Sequence, residues 1–136
     1  MRKVSVLIGI CMLVALALTL VAQAPSDLSP IMKDVAATQT SMRMNMMNNA
    51  AADVAKDAAK LQDDFTKAMG FFNAMKAQDA VDAAKANADA AGEIVKAAKA
   101  NNLEAAKAPA GTIQKSCKAC HDVHREQLPD KTYKFK

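Results

Sequence analysis

Two thiols and an imidazole stand close together near the C-terminus, in the run Cys117-Lys118-Ala119-Cys120-His121. On a helix, positions three and four apart lie on one face, so Cys117, Cys120 and His121 project toward one side. Cys-x-x-Cys-His is the attachment pattern of a c-type haem. The two thiols add across the porphyrin vinyl groups, and the next imidazole becomes an axial ligand of the iron. Three other chemistries use similar residues. A thioredoxin-type dithiol wants a βαβ setting that this chain lacks. A closed zinc site taking Cys117, Cys120 and His121 or His124 normally gathers ligands from two separated segments, and no second ligand pair exists. A disulfide closing so short a loop stabilises little. One covalently bound haem c is therefore the cofactor to expect.

The elements that must position this run are helices. Of 136 residues, 51% are hydrophobic but only 4% aromatic, with four Gly, four Pro and no Trp. A β-sandwich or barrel would lack both its turns and its strand-formers, whereas Ala, Lys, Asp and Met dominate residues 31–107. Four helices are expected. The first starts with Ser29 as cap and Pro30 in its first turn and runs to about Met47, facing inward with Met32, Val35, Gln39, Met42 and Met46. Gln39 is the polar break in that stripe. The second spans about Ala50 to Lys67 on Val54, Ala58, Leu61 and Phe65, with Ala68–Lys76 a turn or an irregular extension. The third covers about Asp79 to Ala100 on Val81, Ala84, Ala88, Ala91, Val95 and Ala98. The fourth begins near Leu103, kinked or delayed by Pro109 and Gly111, and continues to about Gln127 before Pro129. Short connections imply an all-α, antiparallel up-down-up-down four-helix bundle. Its alanine faces bury little area, and a large apolar ring would supply what the missing aromatic side chains do not.

Residues 1–24 stand apart from that domain. Arg2 and Lys3 precede a nearly unbroken apolar run, Val4 to Ala22, and Ala22-Gln23-Ala24 has the small residues of a signal-peptidase site. A cleaved export signal would leave residues 25–136 in the periplasm. Pro25 disfavours the cut, and the run approaches the roughly 20 residues that span a bilayer, so retention as an anchor on the periplasmic face of the inner membrane is the alternative. Cys11 within the run reads as an apolar filler. Without Arg2 and Lys3 the chain has 16 basic residues against 14 acidic, no footprint for nucleic acid.

The chain resembles the class II c-type cytochromes, the cytochrome c-prime family, and is closest in pattern to the low-spin cytochrome c-556 type. The resemblance rests on Ile31-Met32-Lys33-Asp34 and on Cys117-Lys-Ala-Cys-His-Asp-Val-His-Arg-Glu-Gln-Leu128, followed by Pro-Asp and a basic tail. It implies a haem with His121 on one face and leaves the other face open.

Topology narrows the second ligand. In an antiparallel bundle the start of the first helix lies near the end of the fourth, where His121 stands. Met32 is near that start, while Met42 to Met47 lie about 15 Å or more further along at 1.5 Å per residue. The resemblance points to the same residue, because low-spin relatives use a Met early in the first helix. Met32 is the expected distal ligand, against an ordinary core Met beside an open or water-bound iron. His124 cannot reach the opposite face. It is expected to bond a haem propionate or a backbone group, or to be solvated, and Arg125 to pair with a propionate or remain solvated.

With His/Met ligation the protein would carry single electrons between redox partner proteins, and it would not be an enzyme. Two alternatives remain. A five-coordinate iron would bind NO or CO, and the cluster Met42, Met44, Met46 and Met47 would take Cu(I) through soft thioethers. Lys115, Lys118, Arg125, Lys131, Lys134 and Lys136 gather positive charge that would steer an acidic partner or simply form a solvated face. Membrane contact is expected only with the N-terminal segment retained, and the resemblance allows a homodimer.

Overall fold

The computed structural model describes residues 27–136; the expected export segment and Cys11 lie outside the described residues. Four helices follow in order, α1 (Ser29–Met47), α2 (Ala51–Ala74), α3 (Gln78–Lys99) and α4 (Leu103–His124). A hairpin of β1 (Arg125–Gln127) and β2 (Tyr133–Phe135) ends the chain. Among the described residues no helix is long and apolar enough to cross a membrane.

The three helix-to-helix turns share one backbone solution. Asn49, Lys76 and Asn101 each adopt left-handed φ, at 54°, 57° and 55° respectively, and the next helix begins two residues later. Asn suits this conformation, which is why Asn48-Asn49 and Asn101-Asn102 were legible as stops. Lys76 carries no such signal. Consequently α2 runs beyond the expected Lys67, through Gly70 to Ala74. A mid-helix Gly costs about 1 kcal/mol, which the burial of Ala68 and Phe72 in the same stretch offsets.

Two expectations at helix starts change. Ser29 is not the cap of α1: Leu28 occupies that position, and the Ser29 N–H donates to Asp27 Oδ1 at 2.8 Å. Pro109 neither delays α4 nor interrupts it. The Asn102 side chain accepts from the Ala105 N–H at 3.2 Å and fixes the start, after which Pro109 forgoes a single bond in the following turn.

Side-chain pairings show α1 and α2, and likewise α3 and α4, to be antiparallel. Asn45 meets Asp57 while Asp34 meets Lys60, and Asn87 meets Cys117 while Asp79 meets His124. The core is thin, as the composition implies. Leu61, Ile94, Ile113 and Val54 are its largest fully buried side chains, and alanines such as Ala58, Ala91 and Ala106 fill the rest. Such small faces let α2 and α3 approach closely. Backbone contact is extensive between α1 and α2, α2 and α3, and α3 and α4, whereas α1 and α4 make little. The α1–α4 seam is bridged by side chains.

The end of α4 differs most from expectation. The helix stops at His124, and residues 125–127 pair with 133–135 in register Arg125↔Phe135 and Gln127↔Tyr133. Asp130 accepts from the Thr132 N–H at 3.0 Å and from its hydroxyl at 2.6 Å, holding the turn. Pro129-Asp130 followed by the alternation Tyr133-Lys134-Phe135 was the available sequence signal.

Candidate functional site

The site forms where α4 faces the open seam. Cys117, Cys120 and His121, one helix face, line a cleft whose opposite walls are Met32 from α1, Phe65 and Phe72 from α2, and Ala80, Ala83, Ala84 and Asn87 from α3. All four residues singled out by sequence therefore meet at one place. Antiparallel packing brings the start of α1 to the end of α4, and Met32 and Cys120 pack against the same apolar cluster of Ala68, Phe72, Ala80 and Ala84. A wider hollow of about 250 Å³ lies beyond Ala80, Ala83 and Cys120, bounded by Ser116, Val123, Asp79 and His124.

Cys117 is held more closely than Cys120. Its sulfur accepts from Gln39 Nε2 on α1 at 3.8 Å and from Asn87 Nδ2 on α3 at 3.9 Å, long but sulfur-typical contacts. Gln39, the polar break in the α1 stripe, thus spans the seam. Neither thiol is in a disulfide. Burial pushes both thiols above their ordinary value, opposed at Cys117 by the Gln39 contact and reinforced at Cys120 by the Asp79 charge. They are neutral thiols rather than the activated thiolates of a redox dithiol.

His121 is pushed below its ordinary value of 6.5, by burial first and by the Arg125 cation second. Arg125 Nη1 lies 3.5 Å from His121 Nδ1, so Nε2 is the nitrogen it leaves for a ligand. The Arg125 guanidinium also stacks over the Tyr133 ring, 3.5 Å from its centroid. His124 meets a backbone group, as one expectation had it: Nδ1 faces the Lys136 backbone oxygen at 3.1 Å, and Nε2 faces Asp79 Oδ2 at 2.7 Å.

Besides the alanines Ala80 and Ala83, two residues at the site escaped sequence reading. Asn87 lies on the alanine stripe of α3, between Ala84 and Ala91, and is 4% exposed. Its Oδ1 is buried with no hydrogen-bond partner among the described residues. A polar residue interrupting an apolar stripe was the signal available, the same one that marked Gln39. Phe135, the other, was hidden because the hairpin was not foreseen.

The methionine cluster does not converge. Met42 is buried and Met46 packs against the core, while Met44 and Met47 are 53% and 69% exposed. Among the described residues no group of three His, Cys, Asp or Glu side chains gathers as a metal site. The basic surface is partly neutralised by Lys118–Asp122 at 2.6 Å and Lys134–Glu126 at 3.3 Å.

The donor chemistry and the walls suit a flat apolar ligand: two neutral thiols, a neutral imidazole, a thioether opposite, and aromatic and alanine surfaces between. Asn87, whose Oδ1 has no partner among the described residues, adds a polar group to the same lining. The space between these walls is about 30 Å³, so a porphyrin requires the seam to widen, and α1 and α4 are the pair whose backbones resist least. No protein-family model, no curated protein and no solved structure matches the chain.

Proposed function

We propose that this protein is an exported, class II-like c-type cytochrome that carries single electrons. The observation that supports the reading is the convergence of Cys117, Cys120 and His121 with Met32 on one apolar cleft. Cys117 and Cys120 would hold a haem by thioether bonds, His121 would ligate one face of the iron and Met32 the other. The iron supplies reversible one-electron chemistry when bound.

The chain's own residues prepare for this. Burial keeps the His121 ring neutral, the form that ligates, and Arg125 engages the nitrogen not needed for iron. Phe65, Phe72 and the alanines of α3 exclude water, and a Met thioether in such surroundings favours the reduced metal. Gln39 and Asn87 orient the Cys117 sulfur from both sides. No residue is set up to transform a substrate in this scheme, and the partners would be redox proteins on the periplasmic side.

The experiment is optical. Protein produced with c-type maturation should retain haem through acid–acetone extraction, and the oxidised form should be low-spin with a Met-to-iron charge-transfer band. Met32→Ala should abolish the band and leave the haem attached, while Cys117→Ala with Cys120→Ala should release it. A wild type without covalent haem would sink the proposal, and a high-spin wild type would move it to a five-coordinate gas-binding protein.

A further inference from the structure

The C-terminal hairpin is fastened to the bundle by the hydrogen bonds of one imidazole and by the packing of one aromatic ring. His124, the last residue of α4, has an acceptor at each ring nitrogen: Asp79 Oδ2 from α3 at 2.7 Å and the Lys136 backbone oxygen at 3.1 Å. Both contacts are hydrogen bonds only when both nitrogens carry protons, that is, when the ring is an imidazolium. The Phe135 ring stacks on His124, with centroids 4.8 Å apart and planes 14° from parallel. Beyond it Phe135 meets Phe72 and Phe71 at 5.3 and 5.8 Å. The Lys136 N–H closes the arrangement by donating to the His124 carbonyl at 2.9 Å.

We propose that the hairpin is a pH-sensitive strap, fastened across the end of the bundle by protonated His124 and released when that proton is lost. A neutral imidazole has one N–H. It can serve Asp79 or the Lys136 backbone oxygen, and the other acceptor then faces a ring lone pair at hydrogen-bond distance, which turns an attraction into a repulsion. The groups around the ring are few. Asp79 is the carboxylate from α3, the Lys136 ammonium opposes the imidazolium, and Cys120 from α4 borders the same hollow. From α2, the uncharged Phe71 and Phe72 reach this end through Phe135.

The sign follows from the surroundings. The Asp79 contact first, then the Lys136 backbone oxygen, raises His124 above its ordinary 6.5. Asp79 is lowered below 3.8, chiefly by His124. The strap is therefore fully fastened between those two values and comes undone as pH rises through the raised histidine value. Opening has a consequence for the cleft, because Phe135 packs against the cluster that includes Met32 and Cys120. Release uncovers that end to water. The device does not depend on what the cleft holds.

Hydrogen exchange by mass spectrometry on the protein as isolated, corrected for intrinsic pH dependence, tests the strap, with α2 and α3 amides as internal reference. From about pH 6 to about pH 9, residues 125–136 should lose about tenfold in protection, the scale of one charged hydrogen bond, while the reference stays level. His124→Gln should remove the transition and leave the hairpin fast-exchanging throughout. Asp79→Asn should shift the transition to lower pH, and it decides the matter should the first variant fail to fold. Unchanged hairpin protection across the range, or the same transition in both variants, overturns the strap. The haem reading is judged separately, on the optical spectrum.

Discussion

Gln39 and Cys117 join α1 to α4 across the loosest seam of the bundle, amide nitrogen to sulfur at 3.8 Å. From α3, Asn87 reaches the same sulfur at 3.9 Å. Two carboxamides from separate helices thus meet one thiol inside an otherwise apolar wall. Each sits where its helix's apolar stripe would be continued more favourably by a hydrophobic side chain. Polar groups placed against the local pattern are expected where a site is served.

Asn87 makes the cost measurable. Its Oδ1 is buried without a partner among the described residues, and such an atom costs about 1–3 kcal/mol. Asn87→Ala on the chain with free thiols removes that penalty and adds helix propensity, against the loss of one weak contact to sulfur. A gain of about 1 kcal/mol in urea unfolding is expected. Destabilisation by a similar amount would mean that Oδ1 is satisfied in solution.

Lys76 holds a left-handed φ of 57° between α2 and α3, where the two sister turns have Asn. A side chain in this conformation costs roughly 1 kcal/mol that glycine avoids. Lys76→Gly should raise the unfolding midpoint by an amount equivalent to about 0.5–1 kcal/mol, less than the full penalty because glycine also loosens the unfolded chain. The same substitution at Asn49 should gain less. Equal effects at both positions would show that the lysine is not strained.

Those turns also explain what was legible. The Asn pairs after α1 and before α4 revealed their boundaries, whereas Lys76 concealed the end of α2, because a lysine is held there by the packing of Phe72 rather than by its own preference. The Cys-x-x-Cys-His run and Met32 could be assigned to one site by helical spacing and antiparallel topology alone. The α3 side of the site is half legible: the alanine stripe shows in the sequence, but Asn87, Ala80 and the principal core residue Ile94 lie off the spacing that marks it. The hairpin was missed because a helical pattern extends through Arg125-Glu126-Gln127, and only pairing with a segment beyond Pro129 pulls those residues out of it. The fates of His124 and Arg125 followed from that pairing, so neither could be settled locally.

The reactivity of the thiols is a test between an attachment site and a redox dithiol. Burial raises both Cys117 and Cys120 above 9.0, with Asp79 adding to the effect at Cys120 and Gln39 partly opposing it at Cys117. A raised value means less thiolate at neutral pH, and thiolate is the form that alkylates. On folded chain with free thiols, iodoacetamide should therefore react more slowly than with a free cysteine. The rate should climb with pH to a midpoint above 9.0 at both positions. Cys117, enclosed by two amides, should be the slower of the pair. Peptide mapping of the alkylated chain separates the two, and Gln39→Ala should speed Cys117 selectively by opening its side of the seam. Reaction faster than free cysteine at neutral pH, at either position, would instead place a depressed thiol in the run and favour dithiol chemistry over thioether attachment.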